Sequence, residues 1–327
     1  MIEYSCHVNF LRFKYPFRIA HGERIGTDTV FVVMRLEQIE GFGEATLPPY
    51  LGVSSQDVLT ALSRDGIEEA LALESPQHWF SALYQIIPDN MPALAALDMA
   101  RWQIHLALTG TTIENMLGQR VTCKNVPHTF TLGVSDAKEM DEKIRFAKSC
   151  GFELFKLKLD GNCDWDMLTN FRRLCHEPFA VDVNQGWTEL EQALRILDFL
   201  EQKECFLIEQ PFNKTDRELS KALSERTFIP IIADEACRQV SDLNGVLQVF
   251  DGVNVKLQKC GGITPALEQL QTIRSQGKKA LIGCMSESSI GCNAAEQLAF
   301  LCDWADLDGP YLNANNKELC EQLGYSL

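Results

Sequence analysis

The chain has 327 residues, 46% hydrophobic and 23% charged, with a net charge of −15. That apolar mass supports a sizeable core, either two domains or one barrel-sized domain with an extension. The acidity repels phosphate backbones and argues against a nucleic-acid partner, and no uncharged apolar run reaches the roughly 18 residues of a membrane span.

Twelve cysteines are scattered from Cys6 to Cys320 with no C-x-x-C pair and no zinc-finger spacing. Free thiols in a reduced, cytoplasmic protein are the expectation. The opening MIEYSCHVNFLRF carries Glu3 and lacks an apolar h-region, so it does not read as a secretory leader. "IEYSCHVNFLRF" and "TVFVVMRLE" are rich in β-branched and aromatic residues and predict strands. "GFGEATLPPYLG" predicts a short strand entering a turn at Pro48-Pro49. Residues 55–74 and 92–109 have helical spacing, with starts at Ser55 and Pro92.

From about residue 128 short apolar runs recur: "FTLGV", "LFKLKLD", "FAVDVNQGW", "CFLIEQPF", "IPIIADEA", "GVNVKLQK", "ALIGCMSES" and "WADLDGP". Helix-like segments such as "TELEQALRILDFLEQ" lie between them. Eight such units predict an α/β fold, a (β/α)8-type barrel preceded by an α+β region. A doubly wound open sheet would need a Gly-rich phosphate loop after its first strand, and none is present.

On that frame Lys158, Asp182, Glu209, Asp234 and Lys256 each fall at or near a strand end, 24, 27, 25 and 22 residues apart. Barrel strand ends converge on one mouth, so three carboxylates from adjacent strands meet there. Crowded carboxylates repel unless a cation intervenes, and an oxygen-only set suits Mg2+. A carboxylate–lysine ion-pair network is the alternative. Lys156 and Lys158, two apart, share a strand face. Ammonium groups crowded together near a cation are expected to have lowered pKa values, which would poise a lysine as a general base. With Lys256 on the other side, a proton could leave one face of a substrate and return to the opposite one.

K-x-K, D-x-N-Q-G-W, I-E-Q-P, A-D-E and N-x-K-x-x-K-x-G-G-I together resemble the muconate lactonizing subgroup of the enolase superfamily. The match spans the barrel and, more weakly, an N-terminal capping domain. It implies Asp182, Glu209 and Asp234 as Mg2+ ligands and Lys158 and Lys256 as the two acid/base catalysts acting through an enediolate. Lys156 would stabilise that intermediate and help set the pKa of Lys158. It also implies a capping domain over 1–120, a barrel over 121–310 and a short segment, 311–327, returning to the cap. Only "YLNANNKELCEQLGYSL" follows Pro310, less than the family's usual return, so a less complete cover is expected.

Within the subgroup, D-x-D on the last strand, Asp306 and Asp308, resembles the pair by which dipeptide epimerases hold a substrate ammonium. A helix N-cap role for Asp308 is the bland alternative. The resemblance thus implies an isomerase, a Mg2+-dependent dipeptide epimerase acting on L-Ala-D/L-Glu or on hydrophobic L-Ala-Xaa. An N-succinylamino acid racemase, an o-succinylbenzoate synthase and a non-catalytic peptide-binding barrel are the alternatives. Thr131 matches a substrate-contact position. "GCMSESSIG" places Ser286 near the mouth, with Glu287 as a supporting hydrogen-bond partner. Of two cap loops, "AHGERIGTDT" offers Arg24 to an acidic side chain, and "LPPYLGVSS" offers Tyr50 and Leu51 to an apolar one. The expected partner is a small dipeptide, with homo-oligomerisation left open.

Overall fold

The computed structural model describes residues 2–19, 22–118, 126–162 and 164–327. Ala20 and His21 of the first cap loop, and Cys123 and Cys163, therefore lie outside the described residues.

An antiparallel sheet opens the chain: β1 Glu3–Ile19, β2 Gly22–Leu36 and β3 Ile39–Leu47, in that order. β1 and β2 run past their predicted limits as one long hairpin, with an irregularity between Arg12 and Phe17. The extension persists because it has partners. Phe13 and Phe17 meet edge to face, and the Arg18 carbonyl accepts a 3.1 Å bond from Val134 N–H on the barrel.

The predicted helix over 55–74 is two, Ser55–Leu62 and Ile67–Leu71. The break falls at Gly66, whose φ of 88° a helix cannot continue through. The first helix starts at Ser55, as expected, and Ser54 caps it: its Oγ accepts from Asp57 N–H, while Asp57 Oδ2 accepts from Ser54 N–H at 2.9 Å. Pro76–Ile86, which the sequence reading passed over, is also helical. The helix predicted at 92–109 runs Met91–Thr109 and packs on β3.

Eight parallel strands follow: β4 Thr129–Leu132, β5 Leu154–Lys158, β6 Phe179–Asp182, β7 Cys205–Glu209, β8 Ile231–Ala233, β9 Gly252–Lys256, β10 Lys279–Gly283 and β11 Trp304–Asp306. They pair in chain order, and the sheet closes through a bridge between His128 and Ala305. Outward residues such as Phe155, Leu157 and Phe179 pack against the surrounding helices. Inward Ala180, Leu207, Ile232 and Leu281 fill the barrel floor. Burying each aliphatic side chain contributes about 1.5–3 kcal/mol. Above that floor the inward positions become charged.

After β11 the chain returns to the N-terminal sheet. Ala314 N–H donates to the Arg12 carbonyl, and Asn315 Oδ1 accepts from Arg12 N–H. Leu319 and Cys320 of the helix Asn316–Leu323 join a cluster with Leu11, Phe31 and Phe42. The ten described cysteines are all free thiols. No described helix is long and apolar enough to cross a membrane.

Two buried cap carboxylates dock on barrel helices. Glu44 of β3 accepts from Ser288 and Gly291 N–H at the start of the helix Ser289–Glu296. Asp98 accepts from Thr264 N–H and Oγ–H, each at 2.8 Å, and from Trp79 Nε1–H at 2.9 Å, at the start of the helix Ile263–Ser275. Both place negative charge where a helix presents unpaired N–H groups. Burial pushes Asp98 up to about 6 despite those bonds. Folding therefore favours its protonated form, and its contribution is complete below about pH 4 and declines as pH rises through about 6. Asp98→Asn, which turns an N–H toward an existing donor, is expected to lower unfolding free energy by about 1–3 kcal/mol. In denaturant melts the deficit should be largest near pH 4 and shrink above pH 6; a deficit independent of pH would contradict this account.

Candidate active site

Strand register sets the site. Lys158 lies opposite Asp182, and Asp182 opposite Glu209. Glu209 pairs with Ile232, so Asp234, two residues on, points the same way. A carboxylate oxygen from each of Asp182, Glu209 and Asp234 lies within 4.8 Å of the others, and all three residues are buried. On the far side Lys256 lies opposite Gly283, and Gly283 opposite Asp306. A Cβ on Gly283 would come 2.5 Å from Asn254 Oδ1. The missing side chain leaves room for Asn254, whose Nδ2 donates to Glu209 Oε1 at 2.6 Å.

The lysines sit against these carboxylates. Lys158 Nζ lies 2.5 Å from Asp182 Oδ2, and Lys256 Nζ 2.7 Å from Asp234 Oδ2. Lys156 contacts Asp306, with Glu209 at 3.3 Å and Asp182 at 3.7 Å. Lys259, in the quoted motif but given no role by the sequence reading, donates to Asp234 Oδ1 and to two carbonyls. Burial alone would lower Lys156, yet Asp306, Glu209 and Asp182 outweigh it and hold it well above its usual value. Lys256 is likewise held well above: Asp234, Tyr50 and Glu209 outweigh its burial. The protein's own groups thus raise Lys156 rather than lower it, because its ammonium faces more carboxylate than ammonium.

The carboxylates divide. Burial, reinforced by Asp182 and Asp234, pushes Glu209 up to about 7. Asp234 goes the other way: Lys256 and Lys259 outweigh its burial and hold it well below the usual range. Three buried, adjacent, oxygen-only donors, one of them straining to stay ionised, suit a hard divalent cation such as Mg2+.

The same mouth, a cavity of ≈150 Å³, is lined by Phe17, Arg24, Tyr50, Thr131, Ser286, Asp306 and Asp308 together with the three lysines. A larger cleft of ≈1640 Å³ lies elsewhere, but none of the predicted residues lines it. Asp308 sits at the N-cap of a short helix without capping it; its Oδ2 instead accepts from Thr131 N–H at 2.5 Å. Burial and the neighbouring Asp306 push Asp308 up to about 6. Asp306 differs from expectation: Lys156 already pairs with it and holds its pKa down against burial. Thr131 Oγ also donates to Asp306, so this residue orients both aspartates.

Arg24 Nη1 is buried without a hydrogen-bond partner, and burial lowers the guanidinium. Tyr50 turns its hydroxyl onto Met285 Sδ; Leu51 is not among the lining residues. Glu287 lies below the mouth, accepting from Met285 N–H and Gln258 Nε2–H. Sequence reasoning missed Asn184, Gln185, Lys214 and Glu235, which also line the cavity. Asn184, Gln185 and Glu235 lie inside the D-x-N-Q-G-W and A-D-E motifs, which was the available signal; Lys214 follows I-E-Q-P by three residues.

A family model described as enolase C-terminal domain-like matches residues 139–309, just over half of the chain. The L-Ala-D/L-Glu epimerase of Bacteroides thetaiotaomicron is 30% identical over 309 residues, covering 94% of this chain and 80% of that protein. The hydrophobic dipeptide epimerase of Roseobacter litoralis is 30% identical over 314 residues, covering 94% and 89%. Among solved structures, the dipeptide epimerase of Enterococcus faecalis, complexed with Mg and L-Leu-L-Tyr, matches with a TM-score of 0.86 at 25% identity, covering 95% and 91%. The barrel agrees with these likenesses, and the chain belongs to the enolase C-terminal domain-like family.

Proposed function

We propose that this chain is an isomerase, a Mg2+-dependent dipeptide epimerase inverting the α-carbon of the C-terminal residue of substrates such as L-Ala-D/L-Glu or hydrophobic L-Ala-Xaa. The observation that carries this reading is Lys158 and Lys256 on opposite sides of a buried carboxylate triad, with Asp308 at the rim in no ion pair among the described residues. Residues 1–120 act as the cap, 121–310 as the catalytic barrel and 311–327 as the return segment. Free thiols suit a reducing, cytoplasmic setting.

Asp182, Glu209 and Asp234 would hold the cation. When bound, it supplies positive charge against the substrate's carboxylate and offsets the carboxylates that keep the lysines charged. Lys158 takes the α-proton from one face, and Lys256 delivers a proton to the other; the roles reverse for the opposite epimer. Lys156 supplies positive charge beside the planar intermediate. Asp308, with Asp306 beside it, receives the substrate ammonium and fixes its orientation. Thr131 holds both aspartates, and Ser286 contacts substrate at the rim. N-succinylamino acids carry no α-ammonium, which leaves Asp308 without that partner in the alternative.

For the second substrate residue, Arg24 favours a carboxylate and Tyr50 an apolar side chain. The unpaired, buried Nη1 favours the acidic choice.

Mass spectrometry of dipeptides incubated in D2O should show one deuterium gained at the C-terminal residue's α-carbon. Lys158→Ala should cut epimerisation by about 10²–10⁴-fold while exchange persists from the epimer that Lys256 deprotonates; loss of exchange from neither epimer would sink the two-lysine reading. Asp308→Asn should raise KM for dipeptides with a free amino terminus and leave N-acylated analogues unaffected. Arg24→Leu should lower kcat/KM for L-Ala-L-Glu by about 10–100-fold relative to L-Ala-L-Leu; equal losses on both would return Arg24 to a structural role.

A further inference from the structure

Two buried acceptors in the mouth have no donor among the described residues: Asn184 Oδ1 and Glu235 Oε2. Asn184 follows Asp182 by two residues, and Glu235 follows Asp234 directly, so they flank two of the three triad members. Their other atoms are engaged. Asn184 N–H donates to Asp182 Oδ1 at 2.9 Å, and Asn184 Nδ2 donates to Glu235 Oε1 at 3.4 Å. The second bond fixes the amide orientation and joins the loops after β6 and β8 across the end of β7. Asn184 is held there in the left-handed region, at φ 46°, which asparagine tolerates better than most residues.

Both residues line the mouth cavity. Leaving two buried acceptors unpaired is costly, so a donor from outside the chain is expected. The nearby ammonium groups of Lys158, Lys256 and Lys259 are already on Asp182 and Asp234. A cation held by the triad would retain water, because Mg2+ dehydrates reluctantly, and three carboxylates fill only half of an octahedral shell. Water on a divalent cation is a strengthened donor.

We propose that Asn184 and Glu235 form an acceptor pair for water retained by a cation at Asp182, Glu209 and Asp234, and so are positioning residues of that metal site. The inference rests on the metal reading above. It places two side chains in the outer shell that orients the cation and its ligands.

Titration calorimetry of the full chain with MgCl2, without substrate, tests it. Asn184→Leu, which keeps the volume but not the acceptor, and Glu235→Met should each weaken Mg2+ binding by about 10–100-fold. Asn184→Asp, which keeps an acceptor oxygen, should bind within a few-fold of the unsubstituted chain. Melts in EDTA report whether each variant folds, and either acceptor-deleting variant alone suffices for the comparison. Unchanged Mg2+ affinity with a raised dipeptide KM would overturn the proposal and assign the acceptors to substrate. An unsubstituted chain that binds no Mg2+ would overturn the metal reading itself.

Discussion

Six carboxylates and four lysines are confined to the mouth of one barrel, and the charge balance there governs the rest. Asp182, Glu209, Asp234, Glu235, Asp306 and Asp308 face Lys156, Lys158, Lys256 and Lys259. Arg24 and Lys214 line the same cavity. Burial and like-charged neighbours push Glu209 and Glu235 up to about 7 and Asp308 up to about 6. The cluster is expensive to bury, since each charge leaves water for a medium that repays it only through close partners. Its persistence in an otherwise well-packed barrel is the mark of a site built for a ligand.

The scaffold exists to hold that cluster in register. β5, β6 and β7 present Lys158, Asp182 and Glu209 at matched heights because parallel pairing aligns them. Gly283 leaves room for Asn254, which in turn steadies Glu209. Gln210 does comparable work one strand over: its Oε1 accepts from Asp234 N–H and Ala236 N–H, shaping the turn that presents Asp234. These supporting contacts are neutral hydrogen bonds, so they position charges without adding to the imbalance.

The N-terminal elements pack on the barrel through two different kinds of contact. Glu44 and Asp98 anchor their body with buried carboxylates on helix N-termini, strong and geometrically exacting. The long hairpin reaches further on lighter contacts, the Arg18 carbonyl on Val134 N–H and Phe17 near Lys158.

Composition, periodicity and spacing determined a good deal by themselves. The alternation of eight apolar runs with helical segments predicted the barrel, since only parallel strands buried on both faces read that way. Charged residues recurring at about one βα unit predicted which side chains would meet, because strand ends share a rim. The tertiary structure decided what spacing cannot carry. It broke the helix at Gly66 and extended β1 through contacts with residues more than a hundred positions away. It paired Asp306 with Lys156, separating two aspartates that look equivalent in the sequence. It also surrounded Lys156 with carboxylates that raise its pKa, since a pKa depends on every charge within a few ångströms, and those charges arrive from strands far apart in the chain.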